Sequence, residues 1–242
     1  MLRFIIVASF VVLFLILSIP IMLVEWIIGK FNPDLKGRSS LAIVQWAFRV
    51  IIVLSGTKVN VIGRENIPDD RAVLYVGNHR SYFDIVIGYT LIKGQCGFVA
   101  KKEMEKIPLL SIYMKYLQCL FLDRENIKEG LKTILVGIDK IKNGISIWIF
   151  PEGTRNRAEQ ETDLLDFKEG SMKMAEKTKC PIIPVAIHNT ADIFEKHMPR
   201  IRRQEVTFRF GEPIDITSLD KEQKKFLGAY TRSRIIEMLE EF

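Results

Sequence analysis

Cysteine and histidine are scarce in this chain, and the signatures of several common protein classes are missing. Its 242 residues hold only Cys96, Cys119 and Cys180, odd in number, far apart and without a CxxC pair. That pattern argues against a disulfide framework or a thiolate zinc site and fits small buried hydrophobes in a reducing compartment. The three histidines are His79, His188 and His197, and the last two make no metal-ligand set with the first. No GxSxG elbow is present, which counts against the commonest hydrolase form. No RNA- or DNA-binding motif and no interleaved basic and aromatic stretch occurs, so nucleic acid is not the expected partner. Repeats, low-complexity tracts and long linkers are also missing.

What the chain does have is an apolar excess and a positive charge. Hydrophobic residues make up 48% and the formal net charge is +6. The charge suits an anionic membrane surface or an acidic carrier protein. The apolar excess lies in the first fifth of the chain. Phe4 to Val24 is uncharged, and a continuous helix of that length would rise roughly 31 Å, about one hydrocarbon thickness. A signal peptide is the competing reading, but no small-x-small cleavage site follows. A second apolar segment, Leu41 to Leu54, carries Gln45 and Arg49 four residues apart. One shared polar face predicts a membrane-surface helix, with a core helix of the domain as the alternative. Trp26, Trp46, Lys30, Lys36 and Arg38 suit the headgroup level.

From Lys58 onward short β-like runs alternate with helical stretches. Val59-Ile62, Val73-Val76, Gly97-Ala100, Cys119-Leu122, Ile145-Phe150, Ile182-Ile187 and Val206-Phe210 read as strands. Helical spacing runs from Asn126 to Asn143, and Ser218 to Glu241 reads as a charged terminal helix. The expected fold is α/β, a mixed sheet flanked by helices. A membrane-binding helical hairpin over 1–56 precedes a catalytic domain over 57–242.

Four blocks in that domain can carry chemistry. Asn78-His79-Arg80-Ser81-Tyr82-Phe83-Asp84 follows an apolar strand, so His79 falls in a loop where a neutral imidazole can act as base. For Asp84 to hold its other ring nitrogen a turn is needed, because on a continuous helix the two would point roughly 140° apart. The competing reading is a Ser81-x-x-Asp84 capping box. Phe150-Pro151-Glu152-Gly153-Thr154-Arg155 follows another strand; Gly153 lets backbone amides approach a ligand and Arg155 can grip a phosphate, or the segment is an ordinary turn. Leu122-Asp123-Arg124 offers a second cation, or a surface ion pair. In Cys180-Pro181-Ile182-Ile183-Pro184-Val185, Pro184 is expected to shape the cleft wall. Lys101 and Lys168 are further candidates for an anionic substrate.

In this order the blocks resemble the glycerolipid acyltransferase family, in particular its bacterial 1-acylglycerol-3-phosphate acyltransferases. The resemblance spans roughly Val59 to Pro213 and includes Ala100-Lys101-Lys102-Glu103 and Gly211-Glu212-Pro213. It implies that His79 and Asp84 are the catalytic dyad. Arg124, Glu152, Gly153 and Arg155, with Thr154 between the last two, match the family's acyl-acceptor block, and Pro184 its fourth block. It further implies an N-terminal two-helix membrane element and no cofactor or metal. The co-substrate would be a thioester of acyl carrier protein or coenzyme A, and the enzyme would sit on the cytoplasmic face of the cell membrane. Alternatives are the same chemistry on glycerol 3-phosphate or another lysolipid, and a non-catalytic lipid-binding protein. One departure is Gln118, which opens the second block where the family often has glycine.

Overall fold

The computed structural model describes all residues from Met1 to Phe242. The elements run α1 (Leu2–Leu17), α2 (Ile19–Phe31), α3 (Pro33–Ser55), β1 (Lys58–Ile62), β2 (Leu74–Gly77), α4 (Phe83–Leu91), β3 (Cys96–Lys101), α5 (Leu110–Tyr116) and β4 (Leu120–Leu122). They continue with α6 (Ile127–Lys142), β5 (Ser146–Ile149), α7 (Lys173–Thr178), β6 (Ile182–His188), β7 (Glu205–Phe210), α8 (Lys221–Lys225) and α9 (Leu227–Leu239). All seven expected strands form. The expected terminal helix is interrupted at Phe226, whose backbone leaves the helical region and separates α8 from α9.

The strands make one sheet in the order β1-β7-β6-β2-β5-β3-β4. All neighbours are parallel except β6 and β7. β2 lies at the centre and is buried along its whole length, as a parallel strand covered on both faces must be. From β2 the chain crosses to β3 on one side, whereas from β5 it crosses back over β2 to β6 on the other. That reversal opens a crevice at the carboxyl ends of β2, β5 and β6.

Alternation along the strands divides the interior. Tyr75, Trp148, Phe98, Ile183 and Val185 face α3 and α4, while Leu74, Ile147, Ile182 and Ala186 face the side of α6, α7 and α9. An aromatic row crosses the first face. Trp148 stacks on Tyr75 and on Phe98, each with centroids 5.0 Å apart.

The N-terminal region differs from expectation in three ways. The first apolar segment is not one helix: α1 and α2 meet at Ser18 with a 49° bend. Pro20, in the first turn of α2, has no N–H for a helix running through Ser18, and its ring crowds the preceding turn. The third helix begins at Pro33 rather than near Leu41, because the Asn32 side chain accepts the Leu35 N–H at 2.9 Å and Pro33 takes the first helical position. Gln45 does not face headgroups. Its amide donates inward to the Tyr89 carbonyl at 2.9 Å, so α3 uses it to satisfy the carboxyl end of α4. Leu41, Val44 and Ile51 of α3, with Val7 and Met22, belong to the same core cluster as the sheet aromatics.

By length and composition α3 could cross a membrane, and so could the bent α1–α2 pair. A buried Glu25 on α2 accepts the Ser39 hydroxyl of α3 at 2.8 Å, fastening the pair together. On the outer side Leu2, Leu13, Leu17, Leu23, Trp26 and Phe31 lie exposed.

The Gln118 departure has a backbone consequence, since its φ of 64° lies in the left-handed region. Its carbonyl also packs where a Cβ on Gly97 would come within 2.1 Å. A side chain at Gln118 is therefore held against its preference, which accounts for glycine suiting the position. Gln118→Val should destabilise the fold by about 1–2 kcal/mol, whereas Gln118→Gly should stay within about 1 kcal/mol of the parent. Chemical denaturation of the two variants side by side checks this.

Candidate active site

The site begins where β2 ends. Asn78, fully buried, donates to the Ile187 carbonyl at 2.9 Å and accepts the Ile187 N–H at 2.8 Å. Its side chain thus imitates one more peptide of the β2–β6 ladder while the main chain turns out of the sheet. His79 is the first residue after that turn.

The backbone of His79 is held on both sides by the block that follows β5. Its N–H donates to Glu152 Oε1 at 2.8 Å, and its carbonyl accepts the Asn156 N–H at 2.7 Å. Two segments some seventy residues apart are therefore joined at one residue. The imidazole lies flat on Phe150, with ring centroids 4.2 Å apart and planes 12° from parallel.

Asp84, fully buried in the first turn of α4, receives four donors. Oδ2 faces His79 Nδ1 at 2.8 Å and accepts the N–H groups of Arg80 at 2.7 Å and Ser81 at 2.8 Å. Oδ1 accepts the Thr190 hydroxyl at 2.5 Å. The turn that the five-residue spacing requires is thus made by Asp84 itself. The capping contact with the Ser81 amide and the contact with His79 coexist on one oxygen. A carboxylate among donors places the imidazole proton on Nδ1, which leaves Nε2 with a free lone pair and no partner in the chain.

Glu152 does not face the cleft. Its two oxygens accept the His79 amide at 2.8 Å and the Leu165 amide at 3.0 Å, and it is only 5% exposed. Burial pushes its carboxyl above the usual range, opposed by those two amides. Its place is structural, under the loop. The turn above it opens at Gly153, whose φ is 76° and whose own N–H is taken by the Phe150 carbonyl at 3.0 Å. The N–H groups of exposed Thr154 and of Arg155 have no partner in the chain.

Cations gather around this turn. A Cβ on Gly153 would lie 3.2 Å from Lys168 Nζ and 3.8 Å from Arg124 Nη1. Arg124 follows β4 and Lys101 ends β3, so both stand on the same edge of the sheet as His79. The head groups of Lys101, Arg124 and Lys168 make no ion pair or hydrogen bond within the chain. Burial lowers the Arg124 pKa from its ordinary value, opposed by the field of Glu103. Arg155 differs. Its guanidinium stacks 3.9 Å above the Tyr82 ring and its Nη1 reaches Glu195 Oε1 at 3.3 Å.

Pro184 is a correction. Alternation along β6 turns its ring to the face opposite Val185, where it packs on Gly211 and Met238. There it lines a separate cavity of about 430 Å³ that His79, Asp84 and Arg155 do not reach. It shapes the packing of β6 on α9, not the crevice that holds His79.

Three residues to which the sequence assigns no role meet the site. The buried Arg80 guanidinium donates to the carbonyls of Ala158 at 2.6 Å and Gln160 at 3.2 Å, fixing the loop after Arg155. Thr190 and Glu195 come from the connection between β6 and β7. Glu195 accepts the Ser81 hydroxyl at 2.6 Å and the Tyr82 N–H at 2.8 Å in addition to Arg155. No group of three His, Cys, Asp or Glu side chains converges as a metal site.

Known proteins resemble this chain in sequence and in fold. The acyltransferase family model matches residues 58–188. The 1-acyl-sn-glycerol-3-phosphate acyltransferase of Borreliella burgdorferi is 34% identical over 84% of this chain and 80% of its own. The enzyme of that name from Haemophilus influenzae is 32% identical over 85% of this chain and 86% of its own. Among solved structures, the 1-acyl-sn-glycerophosphate acyltransferase of Thermotoga maritima superposes with a TM-score of 0.82 at 27% identity, covering 99% of this chain and 93% of that one. The family model over 58–188, with relatives above 30% identity along most of their length and a solved structure of the same fold, places this chain in the acyltransferase family.

Proposed function

We propose that the protein transfers a fatty acyl group from a thioester to the sn-2 hydroxyl of 1-acylglycerol 3-phosphate, giving phosphatidic acid. The observation that carries this is the pairing of a free His79 Nε2 with three unpartnered cations on one edge of the sheet. A lysophosphatidate has the matching parts, an alcohol to deprotonate and a phosphate to hold. The relatives from Borreliella burgdorferi and Haemophilus influenzae are named for the same activity.

In this mechanism Nε2 of His79 takes the proton of the sn-2 hydroxyl as its oxygen bonds to the thioester carbonyl carbon. Asp84 keeps the ring oriented and stabilises the imidazolium that forms. The negative charge that builds on the carbonyl oxygen is met by the free N–H groups of Thr154 and Arg155, with Lys101 nearby. Collapse breaks the carbon–sulfur bond, and the imidazolium returns its proton to the departing thiolate. Arg124, Lys168 and Arg155 hold the phosphate, which turns binding energy into position. No covalent acyl-enzyme is formed.

The donor is a thioester of acyl carrier protein or of coenzyme A; both bring anionic groups suited to a chain of net charge +6. The exposed apolar surface of α1 and α2 would hold the enzyme on the bilayer where its acceptor resides, at the cytoplasmic face that thioester donors reach.

Purified protein in detergent, given lysophosphatidate and acyl thioester, should release thiol and form phosphatidate in equal amounts. Thiol release without phosphatidate would remove the acceptor assignment, and glycerol 3-phosphate in its place separates a different acceptor from water. His79→Ala should cut turnover by about 10²–10⁴ while vesicle binding is unchanged; near-normal turnover would sink the mechanism. Arg124→Ala should raise the acceptor KM about tenfold with the thioester KM unmoved. Glu152→Gln puts an amide NH₂ against one of two backbone donors. It should lower stability by about 1–3 kcal/mol in thermal melts and reduce turnover without changing the acceptor KM.

A further inference from the structure

The connection between β6 and β7 contributes no residue to any block the sequence singles out, yet two of its side chains reach the centre of the site. Thr190 is fully buried, and its hydroxyl supplies the only donor to Asp84 Oδ1. Glu195 receives three donors from the catalytic loops: the Ser81 hydroxyl, the Tyr82 N–H and Arg155 Nη1. We propose that this connection is a two-armed clamp, in which Thr190 positions Asp84 and Glu195 positions Arg155. The second arm rests on the reading of Arg155 as a phosphate ligand.

The first arm follows from the geometry of a carboxylate. Three donors on Oδ2 come from one short stretch, His79 to Ser81, and leave the carboxyl group able to swing about the bond that bears it. A donor on Oδ1 from the other side of the crevice fixes the plane. With that plane fixed, the Nδ1 contact of His79 is directed and Nε2 is aimed. Loss of the hydroxyl would also strand a buried oxygen without its donor.

The second arm concerns a long side chain with many rotamers. Tyr82 covers one face of the Arg155 guanidinium, and Glu195 takes Nη1. The remaining N–H groups are then presented in a fixed plane, so less conformational freedom is lost when a phosphate binds. Arg124, Lys101 and Lys168 have no such anchor. Glu195 also neutralises part of the Arg155 charge, and positioning is the larger effect in this reading: removing the carboxylate should weaken acceptor binding rather than strengthen it.

Steady-state kinetics of the full chain in detergent, with both substrates varied, separates the arms. Thr190→Val and Thr190→Ala should each lower kcat about tenfold with both KM values unchanged, and Thr190→Ser, which keeps the hydroxyl, should retain near-parent turnover. Unchanged kcat in the valine variant, or an equal loss in the serine variant, would overturn this arm. Glu195→Ala should raise the acceptor KM about tenfold without moving the thioester KM, and the rise should vanish in an Arg155→Ala background. A lowered acceptor KM, or a rise that persists in that background, would overturn the second arm. If Arg155→Ala alone leaves the acceptor KM unmoved, the phosphate role of Arg155 fails instead, and the Thr190 arm stands or falls by its own variants.

Discussion

Four donors converge on the carboxylate of Asp84, and the arrangement of the crevice depends on them. Two are amides of the loop that carries His79, one is the His79 ring and one is a hydroxyl from across the crevice. A buried carboxylate needs such company, because an ionised group out of water is costly unless hydrogen bonds replace its hydration. The same requirement bends the chain between His79 and Asp84 into the turn that makes them neighbours. Local folding and the alignment of His79 on Asp84 are therefore satisfied by one set of contacts, and neither can be altered without the other.

A second tier of contacts makes the loop after β5 part of the same body. Glu152 and Asn156 grip the two backbone polar groups of His79, and Arg80 grips the carbonyls farther along. The residues that touch substrate in the proposed mechanism are thus mostly not those that hold the crevice together. Glu152, Asn156, Asn78 and Arg80 look inward, whereas Thr154, Arg124, Lys101 and Lys168 keep free hydrogen-bonding groups.

Much of this arrangement is legible in the amino-acid sequence. The seven strands show because each is a short apolar run closed by polar or glycine-bearing turns, and His79 shows because it directly follows one. The direction in which a side chain points is less legible. Glu152 belongs to a block that reads as substrate-binding, but only tertiary packing turns its carboxylate toward two amides. Pro184 falls on the face away from the crevice because alternation on β6 has to be referenced to a core that the sequence does not display. Asn32-Pro33 and Pro20 carry local signals for a helix start and a helix break, and a long apolar run masks them. Thr190 and Glu195 have no signal. They lie more than a hundred residues from Asp84 and Ser81, which they touch, and reach them only because the chain crosses back over β2.

The N-terminal helices have a further consequence through their packing. α3 lies against α4, and the first turn of α4 carries Asp84. Gln45 of α3 is bonded to the carboxyl end of that same helix, so the apolar N-terminal helices and the element that bears Asp84 are packed as one body. On a bilayer such a joint would act as a ruler rather than a tether. It would set the height of the His79 ring above any surface on which the outer helices rest.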